Sequence, residues 1–129
     1  MNLIVIISDT LRRDHLGCYG NKNIRTPNLD QFAEECVQFD NCYIASFPTM
    51  PMRADLFTGK FTFTYLKWGP LPRNEKTLAE ILGKAGYTTL AAVDIPFFTR
   101  NGYGYDRGFE DCSWIPGQYR FISPSSERG

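Results

Sequence analysis

The stretch that decides the fold reads SFPTMPMRADLFTGK and covers residues 46–60. Pro51 has no N–H and a preset φ, so it suits the first turn of a helix and leaves Thr49 at the helix N-terminus. Unpaired N–H groups and the positive end of the helix dipole would face whatever Thr49 contacts. Arg53 follows one turn later, and its planar donors match a tetrahedral oxyanion. The stretch therefore predicts a site for phosphate or sulfate.

A purely structural interpretation competes with this one. A threonine before a proline-initiated helix is usually an N-cap, and an arginine in a first turn is usually a solvated side chain. Spacing alone favours that structural interpretation, so the functional one needs further support from the sequence.

Such support comes from a resemblance. The pattern Thr49-x-Pro51-x-Arg53, followed by ADLFTG, resembles the signature of the sulfatase family in the alkaline-phosphatase superfamily of metal-dependent hydrolases. In sulfatases the first position is a cysteine or serine that is converted to formylglycine, and threonine cannot be converted in this way. Threonine at this position is similar to the nucleophile of phosphodiesterase-type and phosphatase-type relatives. The resemblance thus implies that Thr49 is a metal-bound nucleophile.

A second motif lies near the N-terminus. The apolar run Leu3–Ile7 predicts a strand buried on both faces of a parallel sheet, with Asp9 directly beyond its carboxyl end. Asp9 could simply cap the next turn. However, residues 9–20, DTLRRDHLGCYG, resemble the opening of sulfatases, where one or two acidic residues bind a divalent cation. The resemblance implies that Asp9 is a metal ligand, with Thr10 in the second acidic position.

The remaining pattern predicts an α/β fold, a mostly parallel sheet flanked by helices. Pro27 starts one helix, whose apolar face is expected to pack in the core. The run TLAE is a capping box that starts another helix, which stops at Gly86. Residues 87–93 predict a second buried strand, residues 37–39 a short one, and residues 61–70 either a strand or a loop. The apolar helix face consists of Leu29, Phe32, Ala33 and Cys36.

Two positions depart from the sulfatase pattern after the strand at residues 87–93. Ile95 and Phe97 stand where formylglycine sulfatases carry a lysine and a histidine that assist catalysis. Together with Thr49, these departures favour phosphate esters over sulfate esters. Gly108-Phe109-Glu110 resembles a turn of the same family, so the resemblance extends from about residue 2 to about residue 111.

Composition narrows the expected partners and location. The chain has 14 basic and 14 acidic residues, so no nucleic-acid or membrane partner is expected. The longest apolar run, Leu3–Ile7, is too short for a membrane span or signal peptide, which predicts a cytoplasmic protein. The four cysteines lack metal-site spacing and are expected to be reduced and mostly buried.

The resemblance also sets an expectation about completeness. The second pair of metal ligands in the family comes from strands further along a longer chain. Residues 1–115 are therefore predicted to be the N-terminal part of a sulfatase-like domain, and residues 116–129 a loop or linker. We expect the isolated chain to be inactive until the C-terminal part of the domain or another chain completes it.

The leading hypothesis is a metal-dependent hydrolase of small-molecule phosphate or sulfate esters. Thr49 would attack and Arg53 would bind a non-bridging oxygen, while Asp9, Thr10 and Thr49 would hold a divalent cation such as Ca²⁺, Mg²⁺, Mn²⁺ or Zn²⁺. Asp9 and Thr49 are accordingly expected to lie close together. Lys60 is a weaker candidate for orienting the Thr49 loop.

Two other interpretations remain. The first is a catalytically inactive module that keeps the fold and binds anions or a partner. The second, a flavodoxin-like nucleotide module, is weak because no glycine-rich phosphate loop follows Ile7.

Overall fold

The computed structural model describes residues 1–95 and 102–116. The chain divides into two compact units, Met1–Tyr43 and Ile44–Gly129. The first unit consists of short helices and turns, whereas the second contains two α-helices and a parallel pair of strands.

The first unit is built around helix α1, Pro27–Glu34, with short 3-10 helices at Arg13–His15 and Gly17–Tyr19. Pro27 occupies the first turn of α1, as predicted. A polar contact holds the helix: Asp30 Oδ1 accepts hydrogen bonds from Cys18 N at 2.7 Å and from Thr26 Oγ1 at 3.0 Å.

The predicted apolar face of α1 does not form a core in the first unit. Leu29 is 48% exposed and Phe32 is 66% exposed. The prediction of core packing was wrong because the Asp30 contacts, rather than apolar burial, attach this helix to its neighbouring turn.

The predicted strand at Leu3–Ile7 is absent, although the exposure of the side chains alternates along the segment. Ile4 and Ile6 are more than 80% exposed, whereas their neighbours are 40–56% exposed. This alternation is the period of a strand, but a strand also requires backbone hydrogen bonds to a neighbour. Within the described part of the chain this segment pairs with none, and the expected burial was wrong. The short strand predicted at residues 37–39 is absent for the same reason.

The second unit begins with helix α2, Thr49–Thr58, which ends at Gly59 in the left-handed conformation, φ 67°. A 3-10 helix, Thr62–Thr64, follows. Of the two predictions for residues 61–70, a strand or a loop, the structure confirms the loop, which contains this one helical turn. Helix α3 spans Leu78–Lys84.

The capping box of α3 is confirmed. Thr77 Oγ1 accepts a hydrogen bond from Glu80 N, and Thr77 N donates to Glu80 Oε2. The Thr77 hydroxyl also donates to the carbonyl of Arg107 at 2.8 Å. The chain passes so close to α3 that a Cβ on Gly108 would lie 2.3 Å from Glu80 N. Glycine is therefore required at this position.

Two strands are present among the described residues, β1 at Leu90–Val93 and β2 at Asp111–Trp114. They are parallel, with Leu90 opposite Asp111. β1 confirms the second half of the predicted strand at 87–93, but β1 is only partly buried. β2 was not predicted from the sequence.

The core of the second unit lies beside α2 and consists of Met50, Ala54, Leu71 and Tyr105. All four cysteines are free, as predicted, but none is fully buried, and Cys36 and Cys42 are exposed. Among the described residues, no helix has both the length and the apolar content to cross a bilayer.

Candidate active site

Thr49 is the first residue of α2, as the sequence predicts. Pro48 is the N-cap residue, after a cis Phe47–Pro48 peptide bond, and no side chain of the described residues caps the helix there. Met52 N donates to Pro48 O at 3.2 Å, while Pro51 has no N–H to donate. The partly exposed Thr49 therefore lies at the positive end of a helix of ten residues.

Arg53 lies one turn beyond Thr49 on the same side of α2. It is only 5% exposed, and its Nη1 lies 3.6 Å from Met52 Sδ. A guanidinium cannot lose its charge in a protein, so the second unit holds a buried positive charge next to the start of the helix.

A cluster of three polar side chains, Ser46, Asp55 and Thr62, connects the two ends of α2. We call it the Asp55 cluster, and its role was not foreseen from the sequence. Asp55 Oδ1 accepts hydrogen bonds from both Thr62 N and Thr62 Oγ1, each at 2.7 Å. Burial would raise the pKa of Asp55, but the nearby Ser46 hydroxyl and the hydrogen bonds from Thr62 together outweigh burial and lower the pKa. The carboxylate is therefore held ionised inside the unit.

Tyr105 contacts the first turn of α2 from the core. Its hydroxyl lies 3.4 Å from the carbonyl oxygens of both Met50 and Gly69. The ring meets Phe57 edge to face, with centroids 5.8 Å apart. Burial raises the pKa of Tyr105 to about 12, so the hydroxyl remains a neutral donor at neutral pH.

Lys60, the weaker candidate, contacts Glu75. Its Nζ lies 2.6 Å from Glu75 Oε2, and Tyr65 donates to Glu75 Oε1 at 3.1 Å. Lys60 follows the C-terminal end of α2, about 15 Å along the helix from Thr49 at the usual rise per residue. The structure thus places Lys60 in an ion pair that fixes the segment after α2.

Asp9 and Thr10 lie in the first unit, and both are exposed. Thr10 has φ 57°, a left-handed conformation that disfavours a β-branched residue. Their oxygen donors are of the type that Ca²⁺ and Mg²⁺ prefer. However, within residues 1–95 and 102–116 no group of three acidic, histidine or cysteine side chains gathers as a metal site. These residues therefore fit a hard cation in kind but do not complete its coordination.

Asp9 and Thr49 belong to different units, and their sharing of one cation stays a prediction. Ile95 packs against the core of the second unit, which gives this apolar residue a structural role. Phe97 lies outside the described residues.

A family model described as Sulfatase matches residues 1–127. Human arylsulfatase D is 40% identical over 102 residues, which are 68% of this chain and 17% of that protein. An N-acetylglucosamine-6-O-sulfatase of Bacteroides thetaiotaomicron is 36% identical over 122 residues, 92% of this chain and 21% of that protein. Human arylsulfatase A is 36% identical over 97 residues, 68% of this chain and 19% of that protein. The chain thus spans about a fifth of the length of these relatives, and no solved structure matches it.

Proposed function

This chain belongs to the sulfatase family, and from that premise we propose that it carries the nucleophile of a hydrolase that cleaves phosphate or sulfate esters. The family confirms the predicted fold class, an α/β fold of the alkaline-phosphatase type. The observation that carries the proposal is the position of Thr49 as the first residue of α2, with Arg53 one turn behind it.

In the proposed reaction, Thr49 Oγ attacks the phosphorus or sulfur atom opposite the leaving oxygen. A bond forms from Thr49 Oγ1 to that atom as the bond to the leaving oxygen breaks; the Thr49 hydroxyl proton passes to solvent, and the leaving oxygen takes a proton from solvent to become the alcohol. Water then cleaves the new ester and restores the threonine side chain. The helix N-terminus stabilises the anionic group throughout, because its N–H groups and dipole favour negative charge.

Arg53 supplies a fixed positive charge to the same reaction. Arg53 is buried, and the effective dielectric constant around a buried charge is lower than in water. Its attraction to an anionic centre near Thr49 is therefore stronger than that of an exposed arginine. We propose that Arg53 binds a non-bridging oxygen of the substrate, or that it stabilises the negative charge of the substrate without direct contact.

Asp9 and Thr10 are the proposed metal ligands in the first unit. A divalent cation, when bound, would lower the pKa of a hydroxyl nucleophile and neutralise charge on the substrate. Because no group of three acidic, histidine or cysteine side chains gathers in the described residues, further ligands would have to come from elsewhere.

The ester class is the finer part of this proposal. Threonine at position 49 and isoleucine at position 95 favour phosphate esters, whereas the three relatives named above are all sulfatases. The test compares an aryl phosphate, an aryl phosphodiester and an aryl sulfate as substrates of the complete protein with added divalent cation. Faster turnover of either phosphate ester is expected, and faster turnover of the sulfate would reverse the preference.

A second candidate function is an inactive module that binds anions. The observation that favours it is the departure from the sulfatase pattern at two positions, where this chain has Thr49 and Ile95. This candidate predicts that inorganic phosphate or sulfate binds to the protein, and that none of the three esters is cleaved whichever divalent cation is added. Turnover that Thr49→Ala removes would exclude it.

A further inference from the structure

The Asp55 cluster joins the segment before α2 to the segment after it. Ser46 lies in the loop that leads to Thr49, Asp55 lies in the second half of α2, and Thr62 begins the 3-10 helix beyond it. Ser46 is 3% exposed and Thr62 is fully buried. The side chains of Ser46 and Thr62 are therefore surrounded by protein atoms rather than by water.

One oxygen of the carboxylate is fully used. Asp55 Oδ1 accepts two hydrogen bonds from Thr62, one from its backbone and one from its hydroxyl. The Thr62 hydroxyl also lies 3.3 Å from the carbonyl of Pro51, in the first turn of α2. Thr62 is therefore bound to both halves of the helix.

The other oxygen of the carboxylate, Asp55 Oδ2, accepts no hydrogen bond from the described residues. Asp55 Oδ2 and Ser46 Oγ are both buried, and neither has a hydrogen-bond partner of good geometry among the described residues. Ser46 nevertheless lies close enough to act on the carboxylate electrostatically. A hydrogen bond between a buried hydroxyl and a buried carboxylate oxygen that lack other partners is favourable, because burying either group without a hydrogen bond costs free energy.

We propose that Asp55 is the positioning residue for Thr49: its Oδ1 accepts from Thr62 of the following segment, and its Oδ2 pairs with the Ser46 hydroxyl of the preceding loop. Only Phe47 and Pro48 separate Ser46 from Thr49. Fixing Ser46 therefore limits how far the Thr49 hydroxyl can move relative to α2. This role rests on the proposed function of Thr49 as nucleophile.

The first test measures kinetics of the full-length protein with the aryl ester that it cleaves. Asp55→Ala is expected to lower kcat by about tenfold to a hundredfold, because small misplacements of reacting groups have effects of this size. KM should change far less than kcat. Asp55→Asn keeps an acceptor for Thr62 and offers a donor to Ser46, so it should restore much of the lost kcat.

The matched control is Thr89→Val. Thr89 is also buried, and its hydroxyl donates to Gly108 O in another part of the second unit. The variant Thr89→Val should lower the melting temperature without a selective loss of kcat. Equal kcat losses at equal destabilisation for Asp55→Ala and Thr89→Val would overturn the positioning role.

A second measurement does not depend on activity. Hydrogen exchange, followed by mass spectrometry on peptides covering residues 44–52, should accelerate in Asp55→Ala and Ser46→Ala more than in peptides covering α3. The double variant should exchange in this region no faster than Asp55→Ala alone, because both changes remove the same contact. Uniform acceleration across the unit would overturn the positioning role, whereas local acceleration in a protein without turnover would instead refute the proposed function.

Discussion

The hydroxyl of Tyr105 lies 3.4 Å from the carbonyl oxygen of Met50, the residue that follows the proposed nucleophile. A core side chain from late in the chain thus contacts the first turn of α2. The same hydroxyl reaches Gly69 O, so one phenol supports two segments of the second unit.

Tyr105→Phe removes this support while keeping the ring and its contact with Phe57. We expect the free energy of unfolding to fall by about 1–2 kcal/mol, because the buried carbonyl of Met50 and the partly buried carbonyl of Gly69 lose the donor that they share. Chemical denaturation followed by circular dichroism measures the change. A change below a few tenths of a kcal/mol would show that the long hydrogen bonds contribute little.

Tyr105 should also impose a pH dependence on stability. Its folded pKa of about 12 lies above the usual value of 10.0, so the folded protein retains a proton that the unfolded chain has lost. The free energy of unfolding should therefore be unaffected below pH 10 and fall as the pH rises from 10 towards 12. Comparing the wild type with Tyr105→Phe by denaturation at several pH values isolates this contribution. Parallel curves for the two proteins would contradict it.

Thr49→Ala should abolish turnover in the complete protein with little change in melting temperature. Pro48, not Thr49, occupies the N-cap position, so the threonine hydroxyl has no capping role to lose. Thr49→Ser, which keeps a hydroxyl, is the control and should retain measurable turnover. Normal activity of Thr49→Ala would refute the nucleophile assignment.

Lys60→Met should lower the melting temperature by removing the partner of a nearly buried carboxylate. The Lys60 hydrogen bond is the main cause of the lowered pKa of Glu75, ahead of opposing burial. A lowered pKa contributes stability above the usual value for glutamate, and this contribution is lost as the pH falls through the folded pKa. The wild type should accordingly lose stability below about pH 4.5 more steeply than Lys60→Met.

The double variant Lys60→Met, Glu75→Gln provides the control for this pair. It removes the charge that Lys60→Met leaves without its cation, so it should recover part of the lost melting temperature. If it is less stable than Lys60→Met, Glu75 has a role beyond its pairing with Lys60.

Gly108→Ala should destabilise the protein by about 1–3 kcal/mol, because overpacking and a positive φ act together. The new Cβ would meet Glu80 N at 2.3 Å, and Gly108 has φ 88°. Gly83→Ala is the matched control, since its Cβ would lie 3.8 Å from the nearest atom, Gly108 O. Because Gly83 lies in the last turn of α3, Gly83→Ala should leave the stability unchanged or raise it by at most about 0.5–1 kcal/mol. Equal effects of the two variants would contradict the close approach at Gly108.

The elements predicted correctly are those that local chemistry determines. The capping box at Thr77 and Glu80 starts α3 through contacts three residues apart, and Pro51 lies in the first turn of α2. The start of α1 at Pro27 follows from the same logic. Such signals lie within one turn of the chain, so a sequence displays them directly.

The errors concern contacts between distant residues. β2 reads Asp-Cys-Ser-Trp, an alternation of only four residues with no β-branched side chain, so its pairing with β1 decides that it is a strand. Leu3–Ile7 has the composition of a strand but pairs with none in the described residues. The Asp55 cluster was missed because its three side chains are spread over residues 46–62, and an aspartate within a helix usually indicates a solvated position.

The division into two units has a consequence for spectroscopy. The sequence contains two tryptophans, Trp68 and Trp114, and both belong to the unit Ile44–Gly129. Indole emission therefore reports the unfolding of that unit alone and is silent about the region that carries Asp9. A tryptophan placed at Tyr43 would give the first unit its own fluorescent signal, so the melting of each unit would be recorded separately in one sample.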